Sequence, residues 1–120
     1  MKTRLFIPEN VDVVLMANPE VANNILSTFN RILGEEILKI QDSFSKNDLK
    51  SFKSSVHKLK PNFRSLALSE GDAMVKQLNM MVDEKKTMQE MADCYHDFKN
   101  YCHDVMLEID EYLNYLNQKS

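Results

Sequence analysis

The sequence predicts an all-α protein: an antiparallel four-helix bundle with a short additional N-terminal helix. Three observations predict it. Apolar residues recur at spacings of three and four through four long stretches, only two Gly and three Pro interrupt 120 residues, and the polar turns between stretches carry helix-capping residues. A chain of this length reads as one domain, 1–120, with a core of useful size; residues 18–116 form the bundle.

Each element has its own signal. Pro8 to Ala17 reads as the short helix, covering one end with Val11, Val14 and Leu15 turned inward. Asn18-Pro19-Glu20 is an N-cap, a proline at the first helical position and an acid in the first turn. Behind it Val21, Ala22, Ile25, Leu26, Phe29, Ile32, Leu33, Ile37, Leu38, Ile40 and Phe44 form a wide apolar face. Gly34 within this helix weakens it by about 1 kcal/mol relative to alanine.

Asn47-Asp48 marks a junction, because Asn tolerates a left-handed helix exit and Asp can cap the next helix. That helix carries the stripe Leu49, Phe52, Val56, Leu59, Phe63 and Leu66. Ser69-Glu70-Gly71-Asp72 has capping-box form, with Asp in place of the usual Glu. It opens a helix through Met74, Val75, Leu78, Met81 and Val82. Thr87-Met88-Gln89-Glu90 is a second capping box, followed by Met88, Met91, Tyr95, Phe98, Cys102, Val105, Ile109, Tyr112 and Leu116 on one stripe.

Composition excludes several function classes. A net charge of −3 with no dominant basic face argues against nucleic-acid binding. The longest apolar run, Val13 to Ala17, is far too short for membrane insertion. Met1-Lys2-Thr3-Arg4 could open a signal peptide, but Leu5-Phe6-Ile7 is stopped by Pro8-Glu9-Asn10, so the expected location is cytoplasmic. Cys94 and Cys102 stand on one helix, roughly 12 Å apart by helical rise. A disulfide needs Cα atoms within about 7 Å, so these two are read as reduced thiols.

His57 is the residue with chemistry to offer. It follows Val56 by about 100° of helical rotation and so turns away from the apolar stripe. Lys53, Lys60 and Arg64 stand one or two turns away on its face. An exposed imidazole among cations suits holding a phosphoryl group, and an ordinary histidine, titrating near pH 6.5, offers a neutral nitrogen. Phosphohistidine carries close to two negative charges. Lys60, three residues on, is best placed to meet them, each such exposed contact being worth on the order of 1 kcal/mol. No Gly-rich phosphate loop, nucleotide motif or acidic magnesium cluster accompanies it.

Metal chemistry finds little footing. His96 and His103 adjoin Cys94 and Cys102 but lie two turns apart, roughly 10 Å, too far to share one ion unaided. No metal site or cofactor is expected, and the methionines fall on core positions as gap fillers.

The run His57-Lys58-Leu59-Lys60-Pro61-Asn62-Phe63-Arg64-Ser65-Leu66-Ala67-Leu68 resembles the histidine-containing phosphotransfer (HPt) domain of multistep phosphorelays. That family carries His-x-Leu-Lys-Gly, a small or polar run, then Leu-Gly-Leu or Leu-Gly-Ala, after a Gly-Asp turn matched here by Asn47-Asp48. Three positions depart from it. Pro61 and Ala67 replace glycines, and Asn79 stands where a Gln or Glu is frequent on the neighbouring helix. Pro61 removes an amide and crowds the His57 carbonyl, costing about 3 kcal/mol in an ordinary helix interior, so a kink is expected beside His57.

The resemblance implies that His57 accepts a phosphoryl group from a receiver-domain aspartate and passes it to another receiver. It implies no autokinase activity, with magnesium and the acidic pocket supplied by the partner receiver. Lys60 would stabilise the phosphate charge. Lys53, Ser54, Pro61, Arg64 and Asn79 would form the docking surface, with part of the first short helix at its edge. Partners would be receiver domains of a hybrid sensor kinase and a response regulator; a monomer is expected separately, because a complete bundle has little need of a second subunit. The alternative reading, favoured by Pro61 and Ala67, is a helical adaptor that binds receivers or other signalling partners without accepting phosphate.

Overall fold

The computed structural model describes residues 4–11 and 17–118, and every regular element among them is helical. The helices are α1 (Pro19–Ser45), α2 (Leu49–Lys58), α3 (Lys60–Ser65), α4 (Ser69–Asp83) and α5 (Met88–Gln118), preceded by one 3-10 turn at Pro8–Asn10. The short helix expected over Pro8 to Ala17 is therefore only this turn in its described part. Val11 is buried as expected, while Val14 and Leu15 lie outside the described residues.

The helix starts follow local chemistry. Asn18 Oδ1 accepts the amides of Glu20 and Val21 at 2.8 and 3.4 Å, satisfying donors that a helix start leaves unpaired. Asn47 takes the left-handed conformation (φ 55°), and the Asp48 carboxylate then accepts the Ser51 amide at 3.1 Å. At α5 the reciprocal box forms: the Glu90 amide donates to Thr87 Oγ1 at 3.1 Å, and the Thr87 amide donates to Glu90 Oε1 at 2.9 Å.

The box expected at Ser69 does not form. α4 starts one residue earlier, with Leu68 at the cap position and no side-chain cap. Asp72 turns to Arg64 instead, and the Tyr101 ring of α5 closes over Gly71, where a Cβ would meet it at 2.9 Å.

Neighbouring helices run antiparallel. Along α1 and α5, Asn23 bonds Asn117, Asn30 bonds Asp110, and Phe44 stacks on Tyr95. Between α1 and the α2–α3 arm, Phe44 meets Phe52 and Phe29 meets Phe63. The core fills the space between them, with Phe52, Phe63, Phe98, Leu26, Leu33, Leu59 and Leu78 all essentially inaccessible. Phe63 anchors α3, its ring lying edge-on to Phe29, Phe98 and Tyr101 at centroid distances of 6.3, 6.1 and 6.1 Å. Full burial of such a ring stabilises by about 2–3 kcal/mol.

Two residues assigned to the apolar face of α1 are not buried: Val21 is 42% and Leu38 67% exposed. That face spans more of the helix circumference than α2 and α5 cover.

The N-terminal segment docks on α5. Glu108 Oε1 accepts the amides of Leu5 and Phe6 at 2.8 and 3.0 Å, and the fully buried Phe6 ring sets its edge against Tyr112. Both cysteines are free; Cys102 is wholly buried, which pushes its thiol pKa up. Among the described residues no helix is long and apolar enough to cross a membrane.

Candidate functional site

The site is the seam between the α2–α3 arm and α4. Phe52, Val56, Leu59 and Phe63 hold the arm to the core by their burial. The same 3.6-residue turn that sends them inward sends His57 outward, where it is exposed. The kink expected at Pro61 is present. α2 stops at Lys58, Leu59 bridges with φ −80° and ψ −14°, and α3 resumes at Lys60. The Leu59 amide reaches only three residues back, to the Val56 carbonyl at 3.1 Å, and Pro61 has no amide to give.

Three polar contacts cross the seam. Lys53 Nζ pairs with Asp83, His57 Nδ1 lies 3.5 Å from Asn79 Nδ2, and Arg64 Nε lies 3.3 Å from Asp72 Oδ2. The order is antiparallel, with His57–Asn79 flanked on both sides by an ion pair. These pairs are exposed or half-exposed, so each is worth at most about 1 kcal/mol. They fix register more than they stabilise.

The middle contact matters most chemically. At 3.5 Å it sits at the outer limit of a hydrogen bond. Asn79 Oδ1 is buried and has no partner. Turning the amide about its last torsion would bring this oxygen to the imidazole edge, where it can accept Nδ1–H. A neutral imidazole carries one proton, so placing it on Nδ1 leaves the Nε2 lone pair on the ring's opposite edge.

Of the residues singled out in the sequence, the structure brings Lys53, His57, Arg64 and Asn79 onto this seam. Lys60 is half-buried beside them and has no carboxylate partner among the described residues. Pro61 is exposed at the kink. Ser54 is also exposed, but it lines a polar groove toward α1 with Lys39, Ser43 and Lys58. The described N-terminal residues pack on Glu108 and Tyr112 of α5; residues 12–16 of the short helix expected at the site's edge lie outside the described residues.

Lys53 and Arg64 differ from expectation in one respect. They are already paired with carboxylates, so neither is an unengaged cation waiting for phosphate. The sequence reading does not place Asp83 and Lys76 at the site, and it assigns Asp72 only to a helix cap. Their signal was the spacing Asp72, Lys76, Asn79, Asp83, steps of four, three and four that define a polar stripe on α4. His96 and His103 are both exposed on α5, and no group of three His, Cys, Asp or Glu able to hold a metal occurs among the described residues.

Compared with protein-family models, curated proteins and solved structures, the chain finds no match.

Proposed function

We propose that this chain is a histidine phosphotransfer protein of a multistep phosphorelay, an antiparallel four-helix bundle that carries a phosphoryl group on His57. The observation that carries this reading is an exposed imidazole with Nδ1 against the Asn79 amide. The Nε2 lone pair attacks the phosphorus of an aspartyl phosphate on a receiver domain. The N–P bond forms as the O–P bond breaks, and the receiver's carboxylate leaves with the bonding electrons. The phosphorylated ring keeps its proton on Nδ1 and gains positive charge, which the Asn79 carbonyl oxygen offsets. Transfer to a second receiver is the same step reversed.

His57 needs little help from its own chain for this reaction. Receiver domains bring the acidic pocket and magnesium, and Lys60 stands one turn away to meet the phosphoryl charge. The docking surface comprises Lys53, Pro61, Arg64 and Asn79 around His57, with Ser54 at its α1 edge.

To test the reading, the protein is incubated with a receiver phosphorylated on its aspartate. Acid-labile, alkali-stable label is expected on the wild type and absent from His57→Gln. Label that persists in His57→Gln, or a wild type that never acquires any, overturns it. Pro61, exposed where the family has glycine, favours a second reading, a helical adaptor that docks receivers without accepting phosphate. Receiver binding without label would select it.

A further inference from the structure

The three contacts across the seam define the register of a fourth. His57 faces Asn79 and Arg64 faces Asp72, so on antiparallel helices Lys60 falls opposite Lys76. Helical rotation puts Lys53 and His57 on one face of α2, Lys60 and Arg64 on one face of α3, and Asp72, Lys76, Asn79 and Asp83 within about 60° on α4. The seam is therefore a ladder of four rungs: Lys–Asp, His–Asn, Lys–Lys and Arg–Asp. Two rungs are ion pairs and one is a polar contact. The rung next to His57 places two lysines opposite each other.

Neither lysine has a carboxylate partner among the described residues, and Lys76 is exposed. Facing like charges repel, by amounts comparable to what opposite pairs gain. A seam built only to hold α4 on the arm would place an acid at one of these positions, as it does at Asp72 and Asp83. Four cations meet two carboxylates here, a surplus of two positive charges in a chain whose net charge is −3. The surplus is concentrated on the single rung adjacent to the imidazole.

We propose that Lys60 and Lys76 form a two-sided clamp for a tetrahedral oxyanion, the phosphoryl group carried on His57. One lysine approaches from the arm and the other from α4, and the dianion between them relieves their mutual repulsion. Lys60 follows from the phosphotransfer reading; Lys76 is a new binding residue, supplied by the opposite helix, and its assignment rests on that reading. The flanking ion pairs keep Lys53 and Arg64 occupied, which leaves the clamp lysines as the available charge.

The test uses phosphoramidate, which phosphorylates histidine without a receiver: the N–P bond to His57 forms as the P–N bond of the reagent breaks and ammonia leaves. In the phosphorylated wild type, a phosphorus-31 NMR pH titration reads the ionisation midpoint of the phosphoryl group. Lys76→Gln is expected to raise that midpoint by about half a pH unit, and Lys76→Arg to restore it. Lys76 is exposed, so neither variant disturbs the core, and circular dichroism confirms the fold. A midpoint equal to wild type in Lys76→Gln, with His57 normally phosphorylated, overturns the clamp and leaves the phosphotransfer reading standing. A wild type that forms no phosphohistidine with phosphoramidate or with a phosphorylated receiver overturns both.

Discussion

Asn79 meets His57 across the seam, its amide nitrogen 3.5 Å from the imidazole Nδ1 and its carbonyl oxygen buried without another partner. The side chain can therefore select the imidazole tautomer, and a single rotation of its amide decides which ring nitrogen is left nucleophilic. This relationship depends on α4 lying antiparallel to α2 in one register, which the ion pairs on either side hold.

Replacing Asn79 by alanine should slow phosphorylation of His57 by phosphoramidate about 3- to 10-fold, the loss of one modest hydrogen bond. Nitrogen-15 NMR of the unphosphorylated protein should show a smaller share of the Nδ1–H tautomer than wild type. An unchanged rate together with an unchanged tautomer ratio would remove Asn79 from the site.

The two glycines should respond to alanine with opposite signs. A Cβ at Gly71 would lie 2.8 and 2.9 Å from the Phe63 ring and 2.9 Å from that of Tyr101. Gly71→Ala therefore forces α4 off the core and should cost about 1–3 kcal/mol in urea unfolding. At Gly34 the nearest atom is the Met106 methyl at 3.4 Å, an ordinary contact. Gly34→Ala should stabilise by about 0.5–1 kcal/mol through helix propensity.

Ala67 carries a side chain at φ 57°, in the left-handed region. Its Cβ crowds the backbone there, a strain glycine lacks, so Ala67→Gly should raise stability by about 1 kcal/mol. Thermal unfolding reads the result as a higher Tm. A lower Tm would mean that the lost unfolded-state restriction outweighs the relief.

Stability should fall at both ends of the pH scale. Hydrogen bonds from the Ser51 side chain and amide hold Asp48 below 3.8, and those from the Thr87 amide and hydroxyl hold Glu90 below 4.5. Folded values below unfolded ones give stabilisation that is complete above about pH 5 and disappears as pH falls through the depressed values. On the alkaline side, burial pushes Tyr101 up to about 12 and also raises Tyr95. That stabilisation is present below the ordinary value of 10.0 and is lost as pH climbs through the raised ones. Urea midpoints across the range check both limbs. Asp48→Asn combined with Glu90→Gln should flatten the acid limb, and an identical acid limb in wild type and variant would refute the assignment.

Much of the helical layout was legible because helix signals are local. The caps at Asn18, Asp48 and Thr87–Glu90 each need only a few adjacent residues, and all three form. The stripe from Phe52 to Leu66 follows directly from helical spacing. What escaped depends on register between helices. Lys53 and Arg64 looked available because their partners, Asp83 and Asp72, stand 30 and 8 residues away on α4. The box at Ser69 failed for a related reason: Arg64 claims Asp72. Glu36, buried with one carboxylate oxygen unpartnered, falls three residues after Leu33 and four before Ile40, on the apolar stripe itself, where its charge type hid a core position.

Glu108 clasps the backbone at Leu5 and Phe6, and this makes that short segment a structural plug of the bundle. Phe6 is as deeply interior as any aromatic on the long helices, yet it belongs to no helix of its own. Deleting Leu5 and Phe6 would pull that stopper out, strip Tyr112 of its cover and leave a carboxylate without the amides it grips.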